Sequence, residues 1–264
     1  MKKVFDISSG QSSGEQYRLL AQVGEDHFAY ALLDQERSKI DRIVYMTFDY
    51  LNDGLDNLTA EFVNQNIDSV VVSSAFPQAL LVPQKYSNND VDYLDAVYDL
   101  PDQEHLRDTV KGWQLATQYL IPSGIYQFLK NRFSKRHFCH AYTALIEASI
   151  QQEQPVLLVN FTTERFSVLL KKNQQVHLAQ IYSYKTPLDV VYFLLKICYE
   201  FQVQQTEVLL QVSGFIERES NLFTELYNYF LNVEFAAPPA MTLPSSDVPQ
   251  HYFTSLYNLA QCAS

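Results

Sequence analysis

The sequence has little glycine, little positive charge, few cysteines and no long apolar run, and each shortage excludes something. Glycine occurs 7 times in 264 residues, against 47% hydrophobic and 19% charged residues. That balance belongs to compact globular chains and excludes fibrous and low-complexity ones. The 3 cysteines (Cys139, Cys198 and Cys262) are odd in number, widely spaced and set among apolar neighbours. They cannot form a disulfide framework, and free buried thiols in a reducing cytoplasm are the expectation. Lys and Arg number 19 against 30 Asp and Glu, a net charge of −11. Both halves share the excess, with 13 basic against 20 acidic residues over 1–148 and 6 against 10 over 149–264. Neither half is a basic module, so sequence-independent binding to nucleic acid or anionic lipid is not expected. The most apolar stretch, VVYFLLKICYEF, is short and broken by charge, so no membrane insertion is expected. The opening MKKVFDISSGQSSGEQ carries no apolar run behind its lysines, so no signal peptide is expected there.

What is present is length enough for two cores and a repeat. Residues 1–16 are polar and read as a flexible start. YRLLAQV, HFAYALLD and DRIVYMTF follow as three strands joined by the turns GED and QERSK. LTAEFVNQN then reads as a helix, with Leu58, Phe62 and Val63 on one face and Asn57 as its cap. SVVVSS is a buried strand and ALLVP a short one ending at proline. From residue 151 the order recurs: PVLLVNF, RFSVLLKK and VHLAQIYSY, the helix PLDVVYFLLKICYEF, and the strand TEVLLQVSGF. A shift of 138 residues lays Leu158 on Leu20, Asn160 on Gln22, Glu164 on Asp26, Phe166 on Phe28 and Leu170 on Leu32. VVSSAF at 71–76 lies on LQVSGF at 210–215 with a shift of 139. Such register over sixty residues points to internal duplication.

A helix ESNLFTELYNYFL, a strand NVEFAAP and a proline-punctuated loop come next. The chain closes on a helix HYFTSLYNLAQC with Phe253, Leu256 and Tyr257 on one face. Between the copies, residues 84–110 form an irregular acidic insertion, NNDVDYLDAVYDLPDQEHLRD, read as a solvated acidic helix face. WQLATQYLI is a strand, SGIYQFLKNRF a helix, and KRHFCHAYTALIEAS a strand running into a helix.

Three antiparallel strands, a crossover helix and a parallel strand resemble the ribonuclease H-like unit. Two in tandem resemble the actin-like ATPase fold, which includes sugar kinases, Hsp70-type chaperones and pilus-assembly proteins. More closely, the chain resembles the bacterial family known as domain of unknown function 3822. The fold class expected is α/β, with two tandem ribonuclease H-like domains, residues 17–150 and 151–264. Each has a mixed sheet of a three-stranded meander plus parallel strands flanked by helices, and the second ends in the C-terminal helix. The crossover between parallel strands fits the right-handed rule.

The resemblance also identifies the candidate site. Active members of the fold write each hairpin turn D-x-G, with an aspartate that holds Mg²⁺ through water and a glycine that admits phosphates. Mg²⁺ prefers hard anionic oxygen, and close approach needs glycine. Here the first turn is Gln22-Val23-Gly24, keeping the glycine without the charge, and the second is Asn160-Phe161-Thr162, keeping neither. The adenosine-side glycine pair falls at Ser213-Gly214. An amide retains a donor and an acceptor but not the charge that attracts metal. The candidate cleft positions are therefore Gln22, Gly24, Asn160, Thr162, Thr163, Ser213 and Gly214, with no catalytic residue, no metal ligand and no cofactor expected.

Other constellations are weaker. His137 and Cys139 share a strand face, but no second ligand pair accompanies them. Asn88-x-Asp90-x-Asp92 starts like a calcium loop, yet Tyr93 stands where the loop needs glycine. No G-x-S-x-G elbow appears. Tyr and Phe number 18 and 17; Tyr252, Phe253 and Tyr257 are candidates for a partner surface, against the expectation that this helix packs back onto its own domain. The function expected is a cytoplasmic, non-enzymatic scaffold or protein-binding module that retains an interdomain cleft. The alternatives are a nucleotide switch with atypical ligands and a binder of another small molecule in the same cleft.

Overall fold

A computed structural model describes residues 2–9, 16–34, 36, 38–48, 66–87, 91–149, 154–237, 241, 244 and 248–262. The expected helix around Leu58, Phe62 and Val63, with its Asn57 cap, lies outside these residues, as do Asn88 and Asp90. The chain divides into two compact units. Unit 1 is Met1–Glu147 with Ala240–Val248 and Leu256–Ser264; unit 2 is Ala148–Pro239 with Pro249–Ser255.

Unit 1 is built on a six-stranded sheet in the order β1-β4-β3-β2-β5-β9. Its strands are β1 (Lys2–Ser8), β2 (Tyr17–Val23), β3 (His27–Asp34), β4 (Lys39–Thr47), β5 (Ile67–Ser74) and β9 (Arg136–His140). β2, β3 and β4 form the antiparallel meander, and β5 and β9 add in parallel. Alternation aims Leu19, Ala21, Val23, Val70 and Val72 into one core, which also takes Ile125 and Leu129 from helix α1 (Ser123–Arg132). A three-stranded sheet of β6 (Ala79–Pro83), β7 (Gln103–Thr109) and β8 (Leu115–Pro122), in the order β6-β8-β7, stands beside it in the unit. Helix α2 (Ala141–Ala148) follows β9 directly.

Unit 2 repeats the pattern with a five-stranded sheet in the order β12-β11-β10-β13-β14. These are β10 (Val156–Phe161), β11 (Arg165–Lys172), β12 (Gln175–Ser183), β13 (Leu209–Gly214) and β14 (Asn232–Phe235). The crossover helix α3 (Pro187–Glu200) begins in a capping box. Thr186 Oγ1 accepts from the Asp189 amide, the Asp189 carboxylate accepts from the Thr186 amide, and Pro187 opens the first turn. Val190, Val191, Leu194, Ile197 and Cys198 then bury one helical face against Leu157, Val159, Leu210 and Val212. Helix α4 (Asn221–Tyr229), capped by Ser220, buries Leu222, Phe223 and Leu226 in the same core.

The two meanders share a detail finer than strand order. β3–β4 is interrupted between Leu32 and Leu33, and β11–β12 between Leu170 and Lys171. Leu32 and Leu170 are the residues that the 138-residue shift superposes, so the bulge recurs at the same point.

Several expectations are corrected. Residues 2–8 are not a loose start: β1 pairs antiparallel with β4, and Arg42 holds Asp6 through two 2.8 Å bonds. Among its described residues the acidic insertion forms no α-helix. Residues 91–101 form turns and coil, and Gln103–Thr109 is strand β7, whose exposed, alternating polar residues gave no apolar period. Most of the C-terminal helix α5 (Thr254–Cys262) belongs to unit 1, where Cys262 meets the Cys139 thiol on β9.

Candidate functional site

In sheets with parallel strands, ligands collect at the carboxyl ends of those strands. In unit 1 these ends carry Gln22 and Gly24 after β2, Ser73 and Ser74 on β5, and His140 on β9. Gln22 lies opposite Ser73 in the ladder, and both side chains are buried. The Ser73 hydroxyl makes no hydrogen bond among the described residues. The β2–β3 turn is closed by the Gly24 amide donating to the His27 carbonyl at 2.9 Å.

Gly24 has its own occupant. A Cβ at this position would stand 2.5 Å from His27 Cε1 and 2.8 Å from Nδ1. The imidazole is stacked on Tyr45, with centroids 5.4 Å apart and planes at 9°, and its Nδ1 meets the Asp26 carboxylate at 2.8 Å. The space on the Cβ side of Gly24 is therefore filled by a protein ring.

Unit 2 holds the same pair with the amide and hydroxyl joined. Asn160 lies opposite Ser213, and Ser213 Oγ donates to Asn160 Oδ1 at 3.1 Å, with the Val159 carbonyl 3.3 Å away. Thr162 is turned inward on its own hairpin: its amide and hydroxyl reach the Arg165 carbonyl at 2.8 and 3.1 Å. Thr163 is exposed on the turn. Gly214 has φ of +77°, and a Cβ there would fall on the Phe161 carbonyl oxygen and 2.6 Å from its amide nitrogen. This glycine serves a close backbone approach, continued by the Phe215 amide donating to the Phe161 carbonyl at 2.9 Å.

The ladders set a register that the sequence comparison missed by one residue. Ser73, not Ser74, is the counterpart of Ser213, because Gln22 faces Ser73 and Asn160 faces Ser213. Ser74 stands where unit 2 has Gly214. A slip of one exchanges the faces of a strand, so the amide–serine pairing was invisible without the ladder. The signal for His27 was available, three residues after Gly24 on a tight turn.

The other candidates resolve as structure. Cys139 is buried against the Cys262 thiol, and this contact and burial push its pKa well up, while His137 is exposed. His140 is fully buried, holds the Phe76 carbonyl at 2.9 Å through Nε2, and is depressed by burial to about 4. Beside it, Asp108 accepts from the His140 amide at 2.6 Å, Thr143 Oγ1 at 2.8 Å and Tyr119 at 3.2 Å. Burial nevertheless raises the Asp108 carboxyl to about 6. Among the described residues, one group has metal-ligating spacing: Asp92, Asp95 and His105, all exposed. His105 Nδ1 is 2.5 Å from an Asp92 carboxylate oxygen and Nε2 3.8 Å from an Asp95 one. Tyr252 bonds Glu217 at 2.6 Å, and Phe253 and Tyr257 are buried, so the last helix is not the exposed aromatic surface. No helix among the described residues is long and apolar enough to cross a membrane.

The family model described as "Protein of unknown function (DUF3822)" matches residues 9–233. The chain belongs to that family. The chain is similar to a Bacteroides thetaiotaomicron protein with an actin-like ATPase fold and unknown function: TM-score 0.74, 17% identity, covering 84% of this chain and 91% of that one. It is also similar to the PilM–PilN type IV pilus biogenesis complex: TM-score 0.68, 9% identity, covering 93% and 98%. A third is the cytoplasmic domain of EpsL, an inner membrane component of the type II secretion system of Vibrio cholerae: TM-score 0.52, 14% identity, covering 94% and 96%. No curated protein matches by sequence. DUF3822 is thus a family on an actin-like ATPase fold, and at these identities the likeness establishes fold alone.

Proposed function

We propose that this DUF3822 protein is a protein-binding scaffold, a pseudoenzyme that keeps the actin-like architecture without phosphate chemistry. One observation carries the reading: at both hairpin turns the metal-attracting carboxylate is an amide, and the protein itself fills the space around the glycines that remain. His27 covers Gly24, the Phe161 backbone closes on Gly214, and Ser213 holds the Asn160 amide. Replacing carboxylate by amide removes the charge Mg²⁺ needs, and filling the turn removes the close approach that phosphate needs. The similar PilM is found in complex with PilN, which supports a protein as the partner class. Three free, buried cysteines support a reducing compartment, the cytoplasm.

A thermal-shift titration with Mg²⁺ and ATP or ADP tests the reading. A ligand at a hundred times its Kd stabilises by about 2.7 kcal/mol, or roughly 5–10 °C for a chain of this size. No shift is expected. A Mg²⁺-dependent rise of that order overturns the proposal.

A further inference from the structure

Of the 3 cysteines, one stands apart and two stand together. Cys198 is buried in the unit 2 core on α3, and the core around it holds no other cysteine among the described residues. Cys139 lies on β9, paired with Ser73 of β5 and 1% exposed. Cys262 ends α5, is 4% exposed, and its thiol meets that of Cys139. All three are free thiols.

The division of the chain gives this contact its meaning. Every residue of unit 2 lies between Cys139 and Cys262 in sequence. The chain leaves unit 1 after Glu147, soon past Cys139, and residues from Leu256 onward belong to unit 1 again. α5 is 9 residues long and is anchored by four buried side chains, Leu256, Tyr257, Leu259 and Cys262. A helix so short has little stability of its own, and its final carbonyls lack intrahelical partners. Its last turn therefore opens more readily than the paired strand β9.

We propose that Cys139 and Cys262 form a reversible disulfide, which fastens α5 to β9 when a small-molecule disulfide of the glutathione class is in excess. Opening of the last turn bares the Cys262 thiol. Its thiolate attacks one sulfur of the oxidant, and one small thiol leaves. The Cys139 sulfur then attacks the Cys262 sulfur, and the second small thiol leaves. One disulfide is broken and one made; two electrons pass to the oxidant, and both thiol protons end on the small thiols. The surroundings set that order. Contact with Cys262 and burial push the Cys139 thiol well up, and Asp108 and Glu147 add to this, so Cys139 is the poorer first nucleophile. Sulfurs already in contact have only a short way to close to the bond length of about 2.0 Å. The bond closes a loop of 262 − 139 = 123 residues along the chain, with all of unit 2 inside it. Long loops are where a cross-link constrains the unfolded chain most. A reducing compartment keeps the pair as two thiols, so the closed form answers oxidant and is not the resting state. None of this rests on the nucleotide turns, so a nucleotide-binding result leaves it standing.

Incubating the full chain with excess oxidised glutathione tests the proposal. The intact mass is expected to fall by two hydrogens with no glutathione attached. Cys198 should remain as the one thiol open to alkylation after denaturation, and peptide mapping should join the segments carrying Cys139 and Cys262. The melting temperature should rise by about 5–15 °C and return with dithiothreitol. Cys198→Ser is expected to keep the rise and Cys262→Ser to lose it. If Cys262→Ser does not fold, the linkage maps and melts of the wild type and Cys198→Ser decide. Stable glutathione adducts without the cross-link, cross-linking only in denaturant, or a cross-link that leaves the melt unchanged or lowers it would each overturn the proposal.

Discussion

The turn after β2 and the turn after β10 occupy equivalent places and are filled in different ways. In unit 1 a histidine ring lies over Gly24; in unit 2 Thr162 stands at the equivalent place and its hydroxyl closes the hairpin. Behind each turn stands the same pair, an amide facing a serine, hydrogen-bonded in unit 2 at 3.1 Å. Two independent packings therefore stand where one shared chemistry would need a common solution. The architecture, down to the bulge at Leu32 and Leu170, is held alike in both units, and the turns have diverged.

The glycines sharpen that contrast most. Gly214→Ala forces a Cβ onto the Phe161 backbone at φ of +77°, and backbone cannot step aside. A loss of about 4 kcal/mol or more is expected by chemical denaturation, with unit 2 affected first. Gly24→Ala meets only the His27 ring, and a cost of roughly 1–3 kcal/mol is expected. Adding His27→Ala should remove that clash, so the double variant is more stable than the two single losses sum to. Strictly additive losses would show that the ring does not fill the turn.

Asp108, in unit 1, gives the next effect. Its folded pKa of about 6 lies above the 3.8 of an unperturbed carboxyl, with burial the main cause and nearby Glu147 adding to it. A raised acid binds its proton more tightly when folded, so its contribution is fully present below 3.8 and lost as pH rises through 6. For this group the difference is up to roughly 3 kcal/mol. Asp6 runs the other way: the Arg42 hydrogen bond lowers it to about 2, so its contribution is lost only as pH falls below the ordinary carboxyl range. Denaturant melts at pH 5 and 7 should show the wild type more stable at pH 5 than an Asp108→Asn variant's own pH dependence predicts. Identical pH dependence in both would assign the effect elsewhere.

The smallest effect compares the two serines. Ser213→Ala removes a bond to Asn160 and should cost about 1 kcal/mol. Ser73→Ala removes a buried hydroxyl that makes no hydrogen bond among the described residues and should be neutral or mildly stabilising. Equal losses would mean that the two pairs are bonded alike.

Much of this was legible in the sequence, because buried strands and amphipathic helices write their period in apolar residues. YRLLAQV, HFAYALLD, PVLLVNF and PLDVVYFLLKICYEF all declare themselves that way. β1 and β7 did not. The side chains of β1 are mostly exposed and those of β7 alternate between exposed and half-buried, mostly polar ones, which leaves no apolar period to read. The candidate turns were found through their missing acids, but their contents were not. The His27 ring over Gly24 and the true partner of Ser213 depend on ladder register, which a one-residue shift in a run of valines conceals. The last helix showed its apolar face plainly and still misled, since the sequence does not say which core that face joins.

The central claim is that Gln22 and Asn160 stand where Mg²⁺ would need carboxylates and that both turns are already filled by the protein. Calorimetric titration of Mg²⁺–ATP into the wild-type chain, beside the Gln22→Asp/Asn160→Asp variant, tests it most directly. No saturable heat is predicted from either protein, since restoring the carboxylates leaves His27 and Thr162 in place. Saturable, Mg²⁺-dependent binding by the wild type would contradict the account.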